Sequence, residues 1–228
     1  MAASGVERKQ LHFYPGPKRL LYFVDSTLVL DVDAWGGPAF TGRIRDPKHD
    51  PQPTTAGRFR VGWVGTYHTG TWPRSGIPWG TRIKIHPSKE DDFLYEVSPG
   101  QWRSVYQKTH LTRKQVLAEH KGLYGEGSLP DRWRLNPFGP IAIRYYVDRN
   151  DNRRRDDDEP LSGEMFHTTA ENEADAGKAL FPSHGCIHLR PIDRNALQDQ
   201  GAFELGTLVV IHQYGEVAVV PRQAAVQP

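Results

Sequence analysis

The sequence predicts a mainly β fold, a small sandwich or barrel-like domain with two short helices, and three observations point there. The 228 residues include 22 glycines and 18 prolines with a 37% hydrophobic fraction, the profile of a loop-rich globular chain. Short β-prone runs bounded by turn formers recur along it. Only two stretches carry helix signals. The length supports one substantial core, so one domain is expected over residues 19–220, with 1–18 as a flexible lead-in and 221–228 as a flexible tail.

The elements follow in order. Leu20 to Val24 and Thr27 to Val32 are apolar β-prone runs around the polar pair Asp25-Ser26, the pattern of a hairpin. Asp46 to Ala56 is dense in turn formers and reads as a surface loop, and the alternating strand Gly57 to Val64 follows it. Thr81 to Ile85 alternates as well. Between these strands an aromatic, glycine-bearing loop holds Trp72 and Trp79, which with Trp63 form a candidate groove for sugar or peptide, although core packing is expected of Trp63. Thr112 with Gln115 is a capping-box pattern and opens a helix over Arg113 to Lys121, before Gly122. Pro140 to Val147 reads as a buried strand and Met165 to Thr168 as the end of another. Asp193 to Gln200, closed by Gly201, gives the second helix, and Thr207 to Tyr214 with Glu216 to Val220 a terminal hairpin.

Charge and composition exclude several classes. The net charge is +2 and the basic residues are interleaved with acidic ones, so no nucleic-acid footprint is present. No apolar run reaches the length of about 20 residues that a membrane span needs, and the opening residues lack the apolar segment of a signal peptide. A single cysteine, Cys186, excludes an internal disulfide and leaves packing or reactivity as the reason for its presence.

Reactivity is the better reading because of what surrounds it: Ser183-His184-Gly185-Cys186-Ile187-His188. A thiolate is the nucleophile, and an ordinary thiol, with a pKa of about 8.5, is scarcely ionised at neutral pH, so a cysteine enzyme needs a base or cation nearby. His167, His184 and His188 are the candidates. Gly185 permits a turn that aims backbone N–H groups at a developing oxyanion.

These residues resemble the L,D-transpeptidase (YkuD-type) family, marked by a histidine, a gap of some fifteen residues and Ser/Thr-His-Gly-Cys; here His167 is followed by fifteen residues and then Ser183-His184-Gly185-Cys186. Phe40-Thr41-Gly42-Arg43 and Pro53-Thr54-Thr55-Ala56-Gly57-Arg58-Phe59 match weaker elements of the same family in order. The resemblance implies that Cys186 attacks the carbonyl of a peptidoglycan stem peptide and His167 takes the thiol proton. Thr168 or a nearby backbone carbonyl would orient His167, and the amides of His184, Gly185 and Cys186 would hold the oxyanion. Tyr145 or Tyr146 would supply a side-chain donor. Where the family has Arg or Asn two residues after the nucleophile this chain has His188, and Arg190 is a candidate to bind the substrate carboxylate in its place.

The implied outcome is cross-linking, D-amino-acid exchange or L,D-carboxypeptidase cleavage, in the periplasm or cell wall, with no cofactor. Without a leader, the chain is also read as an effector delivered into a rival's periplasm, with a secretion apparatus or immunity protein as partner. Two other classes compete. A metal-dependent hydrolase would draw zinc ligands from His184, Cys186, His188 and His167, but no familiar ligand spacing is completed. An inactive wall-binding module would keep the groove alone, against which stands the retention of His167, Ser183, Gly185 and Cys186 together. Residues 148–159 loosely match a calcium loop, yet Arg153 stands where such loops need glycine, and a solvated charged loop is expected.

Overall fold

The structure is a computed structural model and describes residues 8–39, 50–125 and 130–218. In chain order the first strands are β1 (Lys9–Tyr14), β2 (Arg19–Val24), β3 (Thr27–Trp35), β4 (Gly57–Gly65), β5 (Ile83–Ile85), β6 (Phe93–Ser98) and β7 (Gln101–Ser104). Helices α1 (Val105–Thr109) and α2 (Arg113–Tyr124) follow, then β8 (Ala142–Tyr146), β9 (Leu161–His167), α3 (Ala170–Ala174), β10 (Ile187–Leu189), α4 (Pro191–Asp199) and β11 (Leu208–Ile211). The chain divides into two compact units, one of residues up to Trp63, Ile143–Phe166 and from Leu180 onward, the other of Val64–Ala142 and His167–Ala179.

The first unit carries a closed barrel with strand order β1-β11-β4-β8-β9-β10-β3-β2; β4, β8 and β9 run into the second unit only at their ends. Closure leaves this sheet without an edge strand, and the mainly β, barrel-like expectation is met. The β2–β3 hairpin forms where expected, with Asp25 and Ser26 both left-handed (φ 48° and 66°), as a two-residue hairpin turn requires, and Val24 paired with Thr27. Leu20, Leu21 and Tyr22 are all fully buried, so both faces of β2 are covered. On one of them the Tyr22 hydroxyl donates to Gln200 O at the end of α4.

Two expectations change here. Lys9–Tyr14 is β1 rather than a lead-in: it pairs antiparallel with β2 and parallel with β11, burying Leu11 and Phe13 completely. The hydrophobic pair at a spacing of two is its only local signal, and the two neighbouring strands supply the rest. β11 likewise pairs with β1 and β4 rather than in a terminal hairpin, and residues up to Ala218 after it form no strand. Residues 219–228, like 1–7 and Phe40-Thr41-Gly42-Arg43, lie outside the described residues.

The second unit holds the three-stranded sheet β5-β6-β7 with α1, α2 and α3. Its core is Ile77, Ile83, Phe93, Tyr95, Val105, Val116, Trp133 and Leu135. The capping box of α2 is present: Gln115 N donates to Thr112 Oγ1 and Thr112 N to Gln115 Oε1. The helix passes Gly122 and ends at left-handed Gly125, one turn later than expected. The second expected helix is α4, while α1 and α3, each of five residues, lacked a sequence signal long enough to read. Asn136, fully buried, donates through Nδ2 to Tyr67 O and Ile77 O at 2.9 Å and ties the loops of this unit together. Among the tryptophans, Trp133 is the enclosed one; Trp63 is half-buried on β4 rather than in the core, and Trp72 and Trp79 are half-buried as well.

The charged loop 148–159 is organised by a cation of the protein itself. Arg60 of β4, 2% exposed, donates to Asp148 Oδ2 at 2.5 Å and to Asp151 Oδ1 at 3.1 Å. Glu159, also buried, accepts from the backbone N–H groups of Arg149 and Asp156. Among the described residues no group of three or more His, Cys, Asp or Glu side chains is placed to hold a metal ion, and no helix is long and apolar enough to cross a membrane.

Candidate active site

In the first unit, Cys186 stands immediately before β10, which neighbours β9 in the barrel. The turn that presents it is built by Ser183. Ser183 N donates to Gly36 O at 3.3 Å, its hydroxyl donates to Cys186 O, and Ser183 Oγ in turn accepts Gly185 N–H at 3.1 Å. Gly185 is left-handed at φ 103°, and a β-carbon there would stand 2.8 Å from Glu164 Oε1, so conformation and space both call for glycine. The Gly185 amide donates to the Ser183 hydroxyl, which makes Ser183 a clamp of the turn.

Cys186 keeps part of its surface open, yet its thiol is pushed up to about 12. Burial is the main cause; the Met165 backbone N–H pulls the other way, the Glu164 carboxylate raises the value further and the Arg144 guanidinium lowers it. Burial thus favours the neutral thiol over the thiolate.

Glu164 on β9 is the residue that sequence reasoning missed. Its carboxylate accepts from Thr55 N, from Thr55 Oγ1 at 2.7 Å and, through Oε2, from the Tyr145 hydroxyl at 3.1 Å. Tyr145 is fully buried, and burial followed by the Glu164 charge raises its phenol well above the usual range. The two tyrosines are thereby told apart. Tyr146 points its hydroxyl into the interior, with no hydrogen-bond partner among the described residues, and burial with Asp148 and Glu159 pushes it up to about 12. A glutamate three residues before a histidine, inside the apolar end of a strand, was the available signal for Glu164, and Thr55 stood within the Pro-Thr-x-x-Gly-x-Phe element.

That element has a structural task besides. Thr54 Oγ1 accepts Gly37 N–H, Thr54 N donates to the Tyr214 hydroxyl, and that hydroxyl donates to Gly37 O. His184 is exposed and bridges to Gln52. His188, expected to face substrate, is 6% exposed and donates through Nδ1 to Phe181 O at 3.0 Å, edge-on to the Phe181 ring. Arg190 donates to Asp33 Oδ2 at 3.1 Å, so its guanidinium is engaged within the protein.

In the second unit, His167 closes β9 and is 4% exposed. Its Nδ1 lies 2.7 Å from Thr168 O. A carbonyl can only accept, so Nδ1 carries the proton and Nε2 of the neutral ring is the basic nitrogen. Phe138 meets the ring edge-on at 5.1 Å. Thr168 Oγ1 donates to Glu173 Oε1 at 2.5 Å, which fixes the residue whose carbonyl holds His167. The backbone carbonyl is thus the orienting group, and the Thr168 side chain acts through it.

The family profile described as the YkuD L,D-transpeptidase catalytic domain matches residues 15–211. The chain belongs to the YkuD family. Solved structures similar to it include the L,D-transpeptidase (residues 123–326) of Xylanimonas cellulosilytica, at 12% identity and TM-score 0.38, covering 92% of this chain and 62% of that one. An L,D-transpeptidase of Mycobacterium smegmatis matches at 12% identity and TM-score 0.37, with 90% and 59% covered. L,D-transpeptidase 1 of Mycobacterium tuberculosis matches at 12% and 0.33, with 90% and 62% covered. This chain therefore spans about three-fifths of the length of those structures. No curated protein matches it significantly.

Proposed function

We propose that this YkuD-family protein is a cysteine-dependent L,D-transpeptidase acting on peptidoglycan stem peptides, with Cys186 as nucleophile and His167 as its base. The observation that carries the reading is the register of His167, fifteen residues and Ser183-His184-Gly185-Cys186, in a chain whose family match spans residues 15–211. The Nδ1 proton of His167 is committed to the Thr168 carbonyl, which supports Nε2 as the acceptor of the thiol proton.

The sulfur is neutral at rest, so attack and deprotonation are coupled. As Sγ adds to the peptide carbonyl, the thiol proton moves to His167 Nε2; when the tetrahedral intermediate collapses, the imidazolium returns that proton to the leaving amine. The product is a Cys186 thioester. Its acyl group then passes to an amine as a cross-link or an exchanged D-amino acid, or to water as a carboxypeptidase product. Backbone amides beside Cys186 stabilise the oxyanion, with the Gly185 amide serving instead to hold the turn. Peptidoglycan as substrate puts the site of action in the periplasm or cell wall.

Intact-mass measurement after incubation with a carbapenem and, separately, with purified muropeptides tests this. Adducts equal to the acyl mass are expected on the unsubstituted protein and none on Cys186→Ala. Processing of muropeptides by Cys186→Ala at an undiminished rate would refute the proposal.

A further inference from the structure

Among the described residues, Glu164 is a carboxylate that neutral groups hold. Its oxygens are held by three neutral donors, Thr55 N–H, the Thr55 hydroxyl and the Tyr145 hydroxyl, and among the described residues no Lys, Arg or His forms an ion pair with it. Three elements converge to orient it: the residue leading into β4, the buried strand β8 and β9 itself. It packs on Gly185, where a β-carbon would approach its Cγ and Cδ to 3.1 Å, and Gly185 is bonded to the nucleophile. A carboxylate fixed there opposes the negative charge that develops on sulfur and on the carbonyl oxygen, which is unfavourable for the enzyme taken alone.

We infer that Glu164 is the subsite for a positively charged amino group of the substrate, one that the acyl acceptor brings to this carboxylate. This rests on the acyl-transfer reading of Cys186. Water as acceptor leaves the electrostatic cost in place, whereas an ammonium on Glu164 offsets it, and the subsite therefore biases the thioester toward amines. In the transfer step the acyl carbon exchanges its C–S bond to Cys186 for a C–N bond. Of the two protons the ammonium loses, one goes to the Glu164 carboxylate and on to water, and the other to the departing thiolate. The atoms and charges balance without any further reactant.

The experiment follows the fate of the acyl-enzyme formed from a purified disaccharide-tetrapeptide. Glycinamide, mainly cationic at neutral pH, and hydroxylamine, mainly neutral there, compete as acceptors, and both products are counted by mass spectrometry. Glu164→Gln, which keeps the shape and the hydrogen-bonding oxygen, is expected to lower the ratio of glycinamide to hydroxylamine product about tenfold, the size of one charge-assisted hydrogen bond at a part-open site. Glu164→Asp keeps the charge and is expected to retain the ratio within about threefold. An unchanged ratio in Glu164→Gln, or an equal fall in both variants, would overturn the inference. Absence of a Cys186 adduct in the unsubstituted protein would instead refute the acyl-transfer reading, and the inference with it.

Discussion

The ionisation of Cys186 offers the sharpest check on how this site works. Burial of the thiol, reinforced by Glu164, raises it from 9.0 to about 12. That rise lowers the thiolate fraction about a thousandfold at any pH well below both values. Alkylation by iodoacetamide consumes only the thiolate, so its second-order rate constant is expected to climb about tenfold per pH unit between pH 7 and pH 10 without levelling off. At neutral pH it should lie several hundredfold or more below that of a free cysteine peptide measured alongside. The assay is intact mass against time at each pH; with one cysteine in the chain, every thiol adduct reports on Cys186. A plateau below about pH 9 would refute the reasoning, because it would mean that the resting enzyme holds a thiolate–imidazolium pair, and the coupling of proton transfer to attack would be unnecessary.

Other perturbations follow from the same contacts. His12 is pushed down to about 4 by burial, then by His212 and Arg58; its Nδ1 lies 3.0 Å from His212 Nε2, and His212 Nδ1 meets Glu216 Oε2 at 2.7 Å. The unfolded chain then binds the His12 proton more tightly, so stability falls as pH drops from about 6.5 to about 4, by about 1–2 kcal/mol once solvent screening of this half-buried ring is allowed for. Urea unfolding across that range should show a shallower fall in His12→Gln, and equal slopes would contradict the assignment. Gly185→Ala places a side chain at φ 103° and is expected to cost about 1–3 kcal/mol and to slow acylation of Cys186 at least tenfold, read from thermal melts and adduct formation; a full-rate variant would show that the turn tolerates a side chain. Arg60→Met strands the enclosed Asp148 carboxylate and should cost about 3–5 kcal/mol in urea unfolding, with Asp148→Asn added on top recovering part of the loss. A loss under about 1 kcal/mol would mean that water reaches Asp148.

Much of this protein was decided by short-range chemistry. The Asp25-Ser26 hairpin, the Thr112–Gln115 capping box and the end of α4 before Gly201 depend on residues a few positions apart, and a sequence displays such signals directly. The segment around Cys186 was legible for the same reason: Ser183, Gly185 and Cys186 complete their turn among themselves. The His167 register could be read too, and its orienting carbonyl is simply the next residue's.

What the sequence could not disclose depends on which distant segments become neighbours. Lys9–Tyr14 is a strand because β2 and β11 flank it, not because its own residues insist on one. Arg190 is engaged because β10 pairs with β3, the strand that carries Asp33, and His188 is enclosed where the same pairing and Phe181 cover it. Glu164 joined the site only when barrel order set β8 beside β9 and brought Thr55 up to its carboxylate, contacts spanning 19 and 109 residues of chain. Local chemistry thus singled out Cys186 and shaped its turn, whereas the charge surrounding the sulfur, which governs its ionisation, arose from side chains that only long-range strand pairing could assemble.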